Sequence, residues 1–166
     1  RLDAQSVTGD LPVEEGPVVA NANGTLWVLS RSGNVRLLSP DGRPIRTLAL
    51  PPPVVSASAS GDGTLWVGGD GRVFRVGPTS VDTFGPAEHV PRGLVRDILP
   101  ESDGSTWVAT YGGGLGRVPA DRIVRVTAEL GLPDNAVSRV LDDGRGRLWI
   151  STNRGVARPI RLRQHP

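Results

Sequence analysis

Few side chains in this sequence of 166 residues have reactive chemistry. There are two histidines, His89 and His165, one tyrosine, Tyr111, and neither cysteine nor methionine. The missing sulfur removes thiol nucleophiles, zinc-thiolate centres, iron-sulfur clusters and disulfide frameworks together. An elimination would need a His base beside a metal carboxylate, but His89 lies in a Pro-rich loop and His165 near the chain end, so both read as solvent residues. Hydrolysis of a polysaccharide would need two acids facing a common channel at about 5 to 10 Å. Glu88, Asp97, Glu101 and Asp142 are the residues to place for that chemistry. The remaining option is recognition without reaction, in which Arg guanidinium and Asp carboxylate grip hydroxyls or carboxylates by paired hydrogen bonds.

The elements that must position these groups are set by an unusual composition. The chain has 22 Gly and 15 Pro against seven aromatics, four of them Trp. At that density of helix-interrupting residues no run reaches the length of a confident helix, which argues against helical bundles and Rossmann-type folds. All 19 basic side chains are Arg, the formal net charge is +2, and no basic cluster of the density of a nucleic-acid face appears. A modest Arg enrichment toward the C-terminus (Arg145, Arg147, Arg154, Arg158, Arg161, Arg163) does not change that reading, and no nucleic-acid partner is expected. No apolar run is long enough for a membrane span or a signal-peptide core. The start at Arg1 suggests a processed protein or a domain of a longer one.

The four Trp, at positions 27, 66, 107 and 149, recur at a spacing of about 40 residues, and each is preceded three positions earlier by Gly24, Gly63, Gly104 or Gly146. The units read NANGTLWVLS, SGDGTLWVGG, ESDGSTWVAT and DGRGRLWIST. Asn23, Asp62 and Asp103 precede the Gly in three of them, and Arg145 takes that place in the fourth. Asn-Gly or Asp-Gly between apolar runs is a hairpin signal, and the expected turn is a tight primed one with positive φ at both central residues. Each repeat then supplies the same short strands. They are predicted at 17–20, 25–30, 35–38 and 45–50; at 54–58, 64–68, 72–76 and 81–84; at 94–99, 105–111, 115–119 and 123–127; and at 136–141, 147–151 and 156–161.

Four strands per repeat of about 40 residues is the arithmetic of a β-propeller blade. The fold class is therefore all-β, a propeller of about four four-stranded antiparallel blades, with repeats at about 13–51, 52–90, 91–131 and 132–163. Residues 1–9 form an orphan outer strand. That segment could close a four-bladed ring by completing the last blade, or the chain could be part of a larger propeller, or two chains could associate. The recurring Trp read as packing between blades. The Asp-Gly turns lack the D-x-D-x-D-G spacing of a calcium loop, so neither metal nor cofactor is expected.

The stretch GLPDNAVSRVLDDGRGRLWISTNRGVAR, residues 131–158, resembles the two-component regulator propeller repeat, with its G-L-P-x-N-x-V, D-x-x-G-x-L-W-I-x-T and Gly-led strand. VRDILPESDGSTWVATYGGGLGRV, residues 95–118, resembles it nearly as well. Repeats one and two keep only the G-x-L-W-V kernel and are also similar to streptogramin-lyase-like and gluconolactonase-like propellers. ESDGSTW resembles the sialidase Asp-box with one spacer missing, and a sialidase would further need three Arg around the substrate carboxylate, a Tyr nucleophile and a Glu. The resemblance to the regulator family implies a periplasmic or extracellular sensor region of a membrane-bound histidine kinase or similar receptor. It would bind an oligosaccharide or other small molecule without catalysis.

Specificity must lie where the copies differ. Aligned on Trp, Arg96 and Asp97 correspond to Ser138 and Arg139 in the next repeat and to Val55 and Ser56 in the previous one. These innermost-strand positions should line the central channel, with Arg92 and Asn135 in the loops leading into them. Arg92, Arg96, Asp97, Asn135, Ser138 and Arg139 are thus the predicted ligand-binding rim. An Arg-Asp pair joining adjacent blades is the competing structural role.

Overall fold

The computed structural model describes residues 16–119 and 124–161. The orphan strand predicted at residues 1–9 and the tail holding His165 lie outside them. Among the described residues there are fifteen strands and two short 3-10 turns.

Blade 1 is built from β1 (Val18–Ala20), β2 (Leu26–Leu29), β3 (Asn34–Leu38) and β4 (Pro44–Ala49). Blade 2 comprises β5 (Ser56–Ala59), β6 (Leu65–Gly68), β7 (Val73–Val76) and β8 (Val81–Phe84). Blade 3 comprises β9 (Val95–Pro100), β10 (Thr106–Thr110), β11 (Gly114–Val118) and β12 (Arg125–Val126). Blade 4 has three described strands, β13 (Val137–Asp142), β14 (Arg147–Thr152) and β15 (Gly155–Arg161). Every sheet is an antiparallel meander in chain order. The innermost strands β1, β5, β9 and β13 adjoin one another in turn, and the four sheets form an open arc of a propeller.

The hairpin joining the first two strands of each blade differs from the primed turn expected. In blade 1 the Gly24 N–H donates to Asn21 O at 3.0 Å and the Asn21 N–H to Thr25 O at 2.9 Å. Asn23, Asp62 and Asp103 do not have positive φ, whereas the glycine after each does, 82° at Gly24, 85° at Gly63 and 84° at Gly104, and in blade 4 both Gly144 (71°) and Gly146 (70°) do. This is a three-residue loop closed by a left-handed glycine, a position at which any L side chain is strained. The preceding Asn or Asp therefore acts through its side chain. Asn23 Oδ1 accepts from the Thr25 N–H at 3.1 Å, Asp62 Oδ1 from the Thr64 N–H at 3.0 Å, and Asp103 Oδ1 from the Ser105 N–H at 3.0 Å. Arg145 has no such acceptor, and in blade 4 Asp143 Oδ1 takes the Arg145 N–H instead, at 2.9 Å.

Packing runs in one direction. Trp27 joins an apolar cluster with Leu65, Val67 and Phe74 of blade 2, Trp66 one with Val95, Ile98 and Val108 of blade 3, and Trp107 one with Val137, Leu148 and Ile150 of blade 4. Each tryptophan thus seats against the blade that follows it. Trp27, Trp66 and Trp107 are 4%, 1% and 3% exposed, whereas Trp149, with no described blade after it, is 40% exposed. Leu141 and Val156 of the same blade are exposed with it.

Backbone hydrogen bonds fasten each interblade loop to the previous blade. The Val54 N–H donates to Arg31 O at 3.1 Å, the Val95 N–H to Gly69 O at 2.9 Å, and the Gly112 N–H to Asn135 O at 3.1 Å. The innermost strands consequently all begin on the same face as the turns between second and third strands. That face carries the channel mouth.

Candidate functional site at the channel mouth

A cavity of about 560 Å³ opens on this face, and residues of all four blades line it. Blade 1 contributes Gly16, Pro17 and Arg31, blade 2 contributes Val54 to Ala57, blade 3 contributes Leu94, Arg96 and Asp97, and blade 4 contributes Arg139. Of the predicted rim, Arg96, Asp97 and Arg139 are brought together here. Arg92 is exposed in the loop before β9, Asn135 is held by the preceding 3-10 turn and the β10–β11 turn, and Ser138 sits half-buried in β13; none of these three lines the cavity.

A bulge decides which residues reach the mouth. In β9, Asp97 pairs with Ala109 and Val95 with Thr110, which leaves Arg96 as the extra residue between them. In β13, Arg139 pairs with Ser151 and Val137 with Thr152, so Ser138 is the extra residue. The Arg96–Ser138 and Asp97–Arg139 correspondences of the sequence alignment hold, but a serine at the bulge is too short to enter the cavity as the longer arginine does.

Asp97 has a second task. Its Oδ2 accepts from the Val140 N–H of β13 at 2.9 Å, which ties blade 3 to blade 4. Ser56, its counterpart in blade 2, donates its hydroxyl to Val95 O of blade 3 at 2.8 Å. The predicted Arg-Asp link between blades is therefore replaced by a carboxylate-to-backbone link. Burial raises the Asp97 carboxyl above the ordinary range, and the Val140 N–H and then the Arg139 charge oppose that rise.

The other acids considered for hydrolysis are elsewhere. Glu88 Oε2 accepts from the Gly85 N–H at 2.7 Å in its own turn, and Asp142 Oδ1 from the Gly144 N–H at 2.9 Å. Glu101 Oε1 accepts from Trp107 Nε1 at 3.0 Å, while Oε2 accepts from Arg117 Nε at 2.9 Å. Arg117 also pairs with Asp103 and lies 5.9 Å from the Trp107 ring centroid. The Asp-box-like stretch is thus a brace on the edge of blade 3. Tyr111 carries the Arg96 guanidinium at 5.6 Å over its ring. Asn135 Oδ1 accepts from the Ala128 N–H at 2.7 Å, and its carbonyl receives the Gly112 and Gly114 N–H groups, so it holds loops in place.

Arg31 was missed in reading the strands alone. It stands four residues after Trp27, where the sister repeats place Asp70, Tyr111 and Asn153. The same rule that selects Arg96, looking for positions where the copies differ in charge, would have found it had it been applied to the turns as well as to the strands. Among the described residues no group of three or more His, Asp or Glu side chains is arranged to hold a metal, and no helix is long and apolar enough to cross a membrane.

Residues 131–154 match the two component regulator propeller family. No curated protein matches the chain. Among solved structures it is similar to the extracellular domain assigned to the hybrid two component system BT3049 of B. thetaiotaomicron, with a TM-score of 0.69 at 16% identity. It is also similar to streptogramin B lyase, with a TM-score of 0.62 at 17% identity. A third is PorZ, a surface component of the type-IX secretion system of Porphyromonas gingivalis, with a TM-score of 0.61 at 19% identity. These matches cover 84%, 92% and 88% of this chain but 20%, 57% and 25% of the others, so the chain spans one fifth of the BT3049 domain. At these identities what is shared is the propeller fold.

Proposed function

We propose that this propeller arc, which carries a two-component regulator propeller repeat, is the sensing region of a bacterial extracytoplasmic receptor. Its channel-mouth cavity binds a small molecule or oligosaccharide without chemistry. The observation that carries the reading is the cavity itself, which collects polar side chains from the strand and turn positions where the repeats differ. Packing alone gives no reason for Arg31, Arg96 and Arg139 to converge. The extracellular two-component domain among the similar structures supports a receptor and an extracytoplasmic place for it.

Catalysis is disfavoured by the acids. Only Asp97 of the four candidates lines the cavity, and its Oδ2 is occupied by the backbone of β13. A glycosidase needs a second carboxylate across the substrate. The open arc and the exposed Trp149 support completion of the ring by further blades, whether of a longer chain or of a second copy.

The test is calorimetry of the purified chain against a panel of soluble oligosaccharides, with product analysis after long incubation. Binding that weakens in Arg96→Gln, with every oligosaccharide recovered intact, is expected. Cleaved products would overturn the non-catalytic reading. The full-length gene product gives an independent check, since a membrane span and a kinase are expected beyond the propeller, and a secretion signal with no output domain would overturn the receptor reading.

A further inference from the structure

The charge of the cavity narrows what it can hold. Three arginines, Arg31, Arg96 and Arg139, line it from three different blades, and among the described residues Asp97 is the one acid in its lining. Among the described residues none of the three has an ion-pair partner. Elsewhere Arg75 pairs with Asp82 at 2.8 Å, Arg117 with Glu101 at 2.6 Å and Arg147 with Asp143 at 2.6 Å, while Arg36, Arg72, Arg92, Arg125 and Arg145 stand outside the cavity without an ion-pair partner among the described residues. Among the described residues the lining thus carries an excess of positive charge at a concave mouth, where the field of like charges is focused.

Asp97 offsets part of it, its charge acting on Arg139. One of its oxygens is committed to the Val140 N–H, and burial works against its ionised form. Arg96 is already oriented by the Tyr111 ring beneath it, which fixes one guanidinium plane before a ligand arrives. A guanidinium fork offers paired donors that match a carboxylate in plane, whereas neutral hydroxyls would leave the charge uncompensated.

We infer that the cavity takes an anionic, carboxylate-bearing ligand held by Arg31, Arg96 and Arg139. The inference rests on the binding role proposed above and adds the charge of the ligand to it. Acidic sugars and free polycarboxylates share this chemistry.

Titration calorimetry on the whole 166-residue chain separates the outcomes. The probes are a trisaccharide of uronic acids, the same trisaccharide with its carboxyl groups reduced to alcohols, and tricarballylate. The acidic trisaccharide is expected to bind at least tenfold more tightly than the reduced one and to lose affinity as salt rises. Arg139→Gln and Arg31→Gln should each weaken it about tenfold, while Asp97→Asn, which keeps an acceptor for Val140, should strengthen it severalfold. Tight binding of tricarballylate with weak binding of the uronic acid would support the anionic site and assign it to free polycarboxylates. Equal binding of the reduced trisaccharide, unchanged in the Arg variants, would overturn the inference and leave the binding role intact. Failure of all three probes to bind would overturn the inference, and the oligosaccharide panel above then decides the binding role. Thermal melts of each variant guard against misfolding, and the opposite signs expected for Asp97→Asn and Arg139→Gln cannot both arise from a loss of fold.

Discussion

Asp97 occupies the position where binding and architecture meet, and substitutions there separate the two. Asp97→Ala leaves the Val140 N–H without its acceptor between two blades, a loss expected to cost about 1 to 3 kcal/mol in urea unfolding. Asp97→Asn should cost less, because its amide oxygen can accept the same bond. The pH dependence has a definite direction. Burial raises the folded Asp97 pKa above 3.8, so the wild type gives up stability as pH rises through that range, and its lead over Asp97→Asn should shrink from pH 3 upward. Asp103 behaves oppositely. The Ser105 hydroxyl lowers its pKa, so its contribution is present at neutral pH and fades as acid titrates it, and Asp103→Asn should flatten the acid limb of the stability profile. The polarity of Arg96, Asp97 and Arg139 against Val55 and Ser56 was legible from the repeat alignment. What hid Arg31 and the failure of Ser138 to reach the mouth was three-dimensional: a turn seated beside a neighbouring strand, and a bulge whose extra residue needs length to cross to the cavity.

At the scale of the element, two kinds of glycine carry different loads. Gly63 has positive φ with open space around its α-carbon, so Gly63→Ala should cost about 1 to 2 kcal/mol through backbone strain alone. Gly68 lies where a methyl would run into the Val95 side chain and the Ser56 hydroxyl of the blade-to-blade seam. Gly68→Ala should therefore destabilise more than Gly63→Ala in the same urea titration and should loosen the cavity as well, since Ser56 and the start of β9 line it. The Gly three residues before each Trp announced the hairpins, and every strand predicted in the described residues is present within two residues at each end. The turn type was read wrongly because Asn-Gly and Asp-Gly serve two hairpin geometries. The loop here is one residue longer than the primed turn, and the side chain of Asn23, Asp62 or Asp103 substitutes for its missing backbone bond.

The whole molecule is an arc whose blades depend on their neighbours, and the tryptophans measure that dependence. Trp66→Ala removes a fully enclosed ring from the seam of blades 2 and 3 and should cost about 3 to 5 kcal/mol, whereas Trp149→Ala, at the uncovered face, should cost far less. In fluorescence, acrylamide should quench one tryptophan readily and the other three poorly, and Trp149→Phe should remove the quenchable fraction. The period of 40 made this architecture legible from the spacing alone; the direction of the Trp contacts was not, because a repeat shows which residue packs and not which neighbour receives it. A cavity lined by all four blades has one more consequence. Arg31 sits on the first blade and Arg139 on the fourth, so a ligand spanning them works as a cross-brace between the two ends of the arc. Each blade is otherwise stabilised chiefly through its immediate neighbours, and the end blades hold fewer contacts than the middle ones. Occupancy would then be read out as stiffness at both ends of the arc at once: amide exchange slowed in β1 and β13 together, in strands that share no seam, converts a chemical signal into the mechanical state of the arc.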